Sequence, residues 1–123
     1  MSESPKNKPI YDLEERTFEF AKRVRIVLKQ FNNNSILVED VKQAIRSSGS
    51  VGANYIEANE SLSKKDFIHR IKISRKEAKE SAYWLRLIKE LSETNSKDLL
   101  FLYNEAIELK KIFSSIIEKT KKL

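Results

Sequence analysis

The stretch Gln43–Leu85 reads QAIRSSGSVGANYIEANESLSKKDFIHRIKISRKEAKESAYWL, and its reading decides the fold. Both glycines of the chain, Gly49 and Gly52, fall inside it, within an otherwise helical pattern. Glycine in a helix interior costs about 1 kcal/mol relative to alanine. A chain that places its glycines only there, and none in its turns, is making room for another backbone. Val38, Val41, Ala44, Ile45, Ser48, Val51, Gly52, Tyr55 and Ile56 recur at helical spacing. They predict a helix from about residue 37 to residue 59, with these side chains on its inner face. Ala44, Ser48 and Gly52 are four apart, a strip of small residues that lets a neighbouring helix pack at short distance. The other use of such glycines, a phosphate-cradling loop, needs a loop before a helix and a G-x-x-x-x-G-K spacing, and neither is present.

Working outward, Ser63 is placed to cap a long helix reaching about Glu93, with Asp66 favourable in its first turn. Phe67, Ile71, Ser74, Ala78, Ser81, Leu85 and Ile88 form its core stripe, flanked by Ile73 and Trp84. Upstream, Leu13, Phe20, Ala21, Val24, Val27, Leu28 and Phe31 give a first helix over residues 12–31, closed by the turn Asn32-Asn-Asn-Ser35. Downstream, Thr94-Asn95-Ser96 is a turn with Asn95 or Ser96 as cap. Leu99, Leu102, Ala106, Leu109, Phe113, Ile116 and Ile117 mark a fourth helix over residues 97–119. Four amphipathic helices with short connections predict an all-α, antiparallel up-down-up-down four-helix bundle over residues 11–120. Residues 1–10, which hold both prolines, read as a flexible tail, and residues 121–123 as a frayed end.

The 123 residues suit one domain, with 40% hydrophobic and 34% charged residues. Cysteine is absent, which excludes disulfides, thiol nucleophiles and thiolate metal sites and suits a reducing, cytoplasmic location. No apolar run has the length of a membrane span, and the N-terminal residues lack a signal-peptide core, so no membrane association is expected. The formal net charge is +6, which favours nucleic acid or an acidic protein partner and also serves plain solubility.

The charge is concentrated. Residues 63–93 carry nine Lys and Arg against five Asp and Glu. Lys64, Lys65, Lys72, Arg75, Lys76, Lys79, Arg86 and Lys89 fall within roughly 140° of the helix circumference, on an arc opposite the core. Helix one adds Lys22, Arg25 and Lys29 on its outer face. A linear array of cations can track a phosphate backbone, with Lys72, Arg75, Lys79 and Arg86 as the principal contacts and Lys65 and Lys76 beside them. A solvated face balanced by i, i+4 pairs such as Lys76–Glu80 is the other reading. No aromatic stacking platform is expected to accompany the stripe, so sequence-specific reading of a single strand is not supported.

Phe18 and Ile26 on helix one, and Leu100 and Ile107 on helix four, exceed what one core stripe needs, as do Phe101 and Ile112. They point to a subunit interface in a homo-oligomer. The single histidine, His69, bounds the chemistry. A di-iron bundle needs two Glu-x-x-His pairs and two further glutamates. Asp66-Phe-Ile-His69 supplies one partial pair, so no metal and no cofactor is expected. The Arg-to-His spacing of helical ribonucleases of the HEPN type is missing, because Ser63, Lys64 and Lys65 stand four to six residues before His69. A serine-hydrolase elbow is also missing, so the expectation is a protein that is not an enzyme. Asn54, Glu57, Arg70 and Glu77 lie near the inner faces and read as a polar cluster fixing helix register, with Arg70 or Arg46 neutralising a carboxylate.

The run Ser50-Val-Gly-Ala-Asn54-Tyr-Ile-Glu57-Ala, then Ser63-Lys-Lys-Asp-Phe67, then Ser74-Arg-Lys-Glu77-Ala-Lys-Glu80-Ser-Ala-Tyr83-Trp84-Leu85 resembles one family. It is similar to the four-helix-bundle proteins encoded by intervening sequences of bacterial 23S ribosomal RNA genes. That family shows an S-I-x-x-N-I-x-E-G segment in helix two, where this chain has Val51 and Ala58 in place of the first Ile and the Gly, and Tyr55 after Asn54. The resemblance implies an antiparallel bundle assembled as a ring, a homopentamer, with a basic surface and no defined catalytic residues. A related branch, the accessory variability protein of diversity-generating retroelements, binds a reverse transcriptase and nucleic acid. The expected function is therefore phosphate-contact binding of RNA or DNA. The alternative is a scaffold that docks an acidic protein partner such as a reverse transcriptase or an RNA-processing enzyme.

Overall fold

The computed structural model describes residues 12–93 and 96–123. The expectations of a tail over residues 1–10 and of a turn and cap at Thr94 and Asn95 lie outside the described residues. Four α-helices follow in order: α1 Leu13–Leu28, α2 Val38–Asn59, α3 Lys64–Leu91 and α4 Lys97–Lys121. A 3-10 turn, Lys29–Phe31, extends α1. Among the described residues there is no strand. No described helix is long and apolar enough to cross a membrane.

Local chemistry sets the helix starts. Asp12 accepts from the Glu15 amide at 3.1 Å, Ser63 from the Asp66 amide at 3.0 Å and Ser96 from the Leu99 amide at 3.1 Å. Each satisfies a first-turn donor that has no intrahelical partner. At α2 the cap is displaced, because Asn34 Oδ1 accepts from the amides of Ile36 and Leu37 in the preceding turn.

Cross-helix contacts fix the topology. Glu14 meets Asn59 while Arg25 reaches the Ile45 carbonyl, so α1 and α2 run antiparallel. Arg70 meets Asn54 and Ser81 meets Ser47, which does the same for α2 and α3. Lys64 meets Leu123 and Arg75 meets Ser114 for α3 and α4. Arg16 with Glu105 and Arg23 with Phe101 close α1 against α4. The result is an antiparallel four-helix bundle in which α1 and α3 stand diagonally.

The core follows the expected stripes closely. Phe20, Val24, Leu28, Val51, Ile71, Ala78, Leu85, Ile88, Leu99, Leu102, Leu109, Phe113 and Ile117 are buried. Two residues assigned to the inner face of α2 are exposed instead. Val38 is the first residue of the helix, and Ile56 sits on the outer rim of the α1–α2 groove opposite Phe18. Both glycines face α1, but the atoms nearest to them belong to side chains rather than to its backbone. A β-carbon on Gly52 would meet Thr17 Oγ1 at 2.8 Å, and one on Gly49 would meet Arg25 Nη2 at 3.0 Å.

Small residues also line the α2–α3 seam. Ser81 donates to Ser47 Oγ at 2.9 Å, and Ser74 donates to the Val51 carbonyl at 2.9 Å, all fully buried. Each buried hydroxyl therefore has a partner, which removes the cost of an unpaired polar group.

Candidate nucleic-acid interface

Lys65, Lys72, Lys76, Lys79 and Arg86 are all exposed along α3, and among the described residues none of them makes a salt bridge. The pairing expected to balance them, Lys76 with Glu80, is not formed. Glu80 turns to α2 instead, where Arg46 Nη2 lies 3.1 Å from its Oε1. Arg46 thus takes up the carboxylates on the α2 side of α3 and leaves the outer lysines uncompensated. At about 1.5 Å per residue, the row from Lys65 to Arg86 runs roughly 30 Å.

The arc is not wholly opposite the core. Its trailing edge abuts α4, where Arg75 is part-buried and its Nη1 donates to Ser114 Oγ at 3.4 Å. Lys89 is also part-buried and lies 3.4 Å from Glu90. Arg75 is therefore a seam residue, and Lys76 is the better exposed neighbour. The cations of helix one do not extend the row, because α1 lies diagonally across the bundle from α3. Arg25 folds onto α2, donating to the Ile45 carbonyl and Ser48 there and to the Ala21 carbonyl of its own helix. Lys22 pairs with Glu19 at 3.9 Å. His69 is exposed near the start of α3, in a shallow surface depression with Lys64, Lys65, Ile68 and Lys72. Among the described residues no group of three or more His, Cys, Asp or Glu could hold a metal ion.

The polar cluster divides into two. Arg70 Nη1 donates to Asn54 Oδ1 at 3.4 Å, and Asn54 in turn donates to the Ser50 carbonyl at 2.9 Å. Glu77 is buried and pairs with Arg46, 3.5 Å away, rather than with Arg70. Its Oε1 is fully enclosed and accepts no hydrogen bond. Glu57 stays exposed and joins neither group. Of the extra apolar residues, Phe18, Ile26 and Leu100 are exposed, whereas Ile107 and Ile112 pack partly against the core. Phe101 lies under the Arg23 guanidinium, 4.5 Å from the ring centroid.

Two features escaped the sequence reading. Arg16 forms a two-pronged bridge to Glu105, with Nε–Oε2 at 2.8 Å and Nη2–Oε1 at 2.9 Å. Hydrogen bonding to Glu105 raises the Arg16 pKa above its ordinary value, against an opposing effect of burial. Nothing local signals a pair so distant along the chain. Tyr83 is the second. It is 59% exposed within the basic arc, so an aromatic does accompany the stripe. The helical period alone places it there, four residues after Lys79 and three before Arg86.

A family model described as 23S rRNA-intervening sequence protein matches residues 11–115. A crystal structure of a protein of unknown function from the S23 ribosomal protein family of Bacteroides thetaiotaomicron VPI-5482 is 34% identical to this chain. The match covers 85% of this chain and 96% of that one, with a TM-score of 0.77. No curated protein gives a significant match.

Proposed function

This chain belongs to the family of 23S rRNA-intervening sequence proteins, and we propose that it is a non-enzymatic, self-associating bundle that binds RNA or DNA through phosphates on the outer face of α3. The observation that carries the reading is the row Lys65, Lys72, Lys76, Lys79 and Arg86, exposed and without carboxylate partners among the described residues, with Glu80, the i+4 partner of Lys76, held by Arg46. Unpaired cations in a row release counterions from a polyanion, which supplies most sequence-independent affinity. The family description and the name of the similar structure both refer to ribosomal components, which makes RNA the first probe. The exposed Phe18, Ile26 and Leu100 support self-association. A cytoplasmic site of action fits the absence of cysteine.

The test is fluorescence-anisotropy binding to structured RNA and to duplex DNA across a salt series. It compares wild type with a variant carrying K72E, K76E, K79E and R86E. Fold and assembly are checked by circular dichroism and light scattering. A steep salt dependence in wild type, flattened by roughly three to four units of log–log slope in the variant, supports the reading. Absence of binding at low salt with assembly intact overturns it. The same basic face then stands as the docking surface for an acidic protein partner.

A further inference from the structure

Tyr83 is held rather than loose. Its ring meets Trp84 edge to face, with centroids 5.0 Å apart and planes at 79°. Trp84 in turn packs against the core. More than half of Tyr83 nevertheless faces solvent. Its neighbours one turn away along α3 include Lys79 and Arg86, and Lys76 lies two turns away, all exposed and unpaired. Phe18 is equally exposed, but the lysine one turn from it, Lys22, is paired with Glu19. Phe101 is 48% exposed, and the Arg23 guanidinium lies over one face of its ring, 4.5 Å from the centroid. Among the described residues, Tyr83 is therefore the exposed aromatic that lies within the basic arc of α3, between Lys79 and Arg86.

A fixed aromatic ring between two cations matches one kind of polyanion better than another. In a duplex the bases already stack on each other and offer no face to a surface tyrosine. A single strand offers an unpaired base for the ring and phosphates on both sides for the cations. We propose that the nucleic acid taken by this face is single-stranded, with one unpaired base stacked on Tyr83 and its flanking phosphates on Lys79 and Arg86. The proposal rests on the nucleic-acid reading above and adds the class of ligand.

The experiment measures binding of the full chain to oligo-U, oligo-dT, an abasic oligomer of the same length and a blunt duplex, at one salt concentration. The variants are Y83A, Y83F and Y83L. Y83L keeps apolar bulk against Trp84, and thermal melts establish that each variant is folded. The expected result is that Y83A and Y83L bind the base-bearing single strands roughly 5- to 150-fold more weakly. Y83F should bind like wild type, and abasic affinity should not change. Emission of Trp84, the sole tryptophan, should change on adding oligo-U or oligo-dT and stay constant on adding the abasic oligomer. Comparison of oligo-U with oligo-dT tells RNA from DNA. Equal losses on base-bearing and abasic strands, or no loss in Y83A and Y83L, overturns the stacking role and leaves the phosphate face standing. Failure of the wild type to bind any of the four overturns both.

Discussion

Thr17 of α1 fills the space that a side chain on Gly52 of α2 would need: a β-carbon there would lie 2.8 Å from the Thr17 hydroxyl and 3.1 Å from its β-carbon. Thr17 cannot easily give way. It is buried, and its hydroxyl donates to the carbonyls of Leu13 and Glu14 at 2.9 and 3.0 Å. G52A therefore gains about 1 kcal/mol of helix propensity and loses more to overpacking, about 1–3 kcal/mol. Urea unfolding should show a net loss in wild type and a smaller loss in a T17A background, which removes the hydroxyl but keeps the β-carbon 3.1 Å away. A gain in both would mean that α1 does not press on Gly52.

Gly49 provides the contrast. The atom nearest a β-carbon there is Arg25 Nη2 at 3.0 Å, the far end of a flexible side chain. G49A should be neutral or stabilising by up to about 1 kcal/mol, read from the same unfolding curves.

Arg16 and Glu105 tie α1 to α4 through two parallel hydrogen bonds. Bidentate geometry favours the pair, while its partial exposure limits it. A double-mutant cycle with R16A and E105A should return a coupling of about 1 kcal/mol. The raised Arg16 pKa gives stability that is complete below the ordinary arginine value and is lost only as pH climbs through the folded one. Stability measured across the neutral range should therefore show no step from this arginine.

Glu77 has a buried oxygen without a donor, compensated only at 3.5 Å by Arg46. An apolar side chain of similar length should serve the seam as well, because a buried charge brings a desolvation penalty. E77M is expected to match or exceed wild-type stability. R46A should lower wild-type stability by about 1–3 kcal/mol and cost much less in E77M. An equal cost in both backgrounds would show that Arg46 acts through Glu80 alone.

Phe18 and Ile26 are each 59% exposed. A second copy covering either one should be displaced by F18D or I26D, with light scattering moving toward the monomer and the melting curve of the bundle retained. I107D should unfold the chain instead, since Ile107 packs against its own core. An unchanged oligomer in F18D, I26D and L100D would remove these residues from the interface.

Much of this molecule was legible along the chain because the signals are local. The serine caps at Ser63 and Ser96 act within one turn. The buried stripes of α1, α3 and α4 follow from a 3.6-residue period. Tyr83 is equally legible, since its offset from Lys79 and Arg86 is a property of one helix. The misplacements concern what stands beside a helix. Ile56 shares a period with the core yet lies beyond the edge of α1, and Arg75 shares the basic period yet is drawn into the α4 seam.

The sequence by itself determined the four helices, their approximate limits, most of their inner faces and the presence of a cationic arc on α3. Side-chain spacing and capping are short-range, and a single helix contains all the information they need. Tertiary structure alone decided that Gly52 yields to Thr17, that Arg16 finds Glu105, and that Arg46 takes Glu80 away from Lys76. It also set α1 diagonal to α3, so that the cations of the two helices do not merge. Those outcomes depend on which helix faces which and at what register. Ion pairing and close packing act between surfaces brought together by folding, and no local pattern encodes the partner.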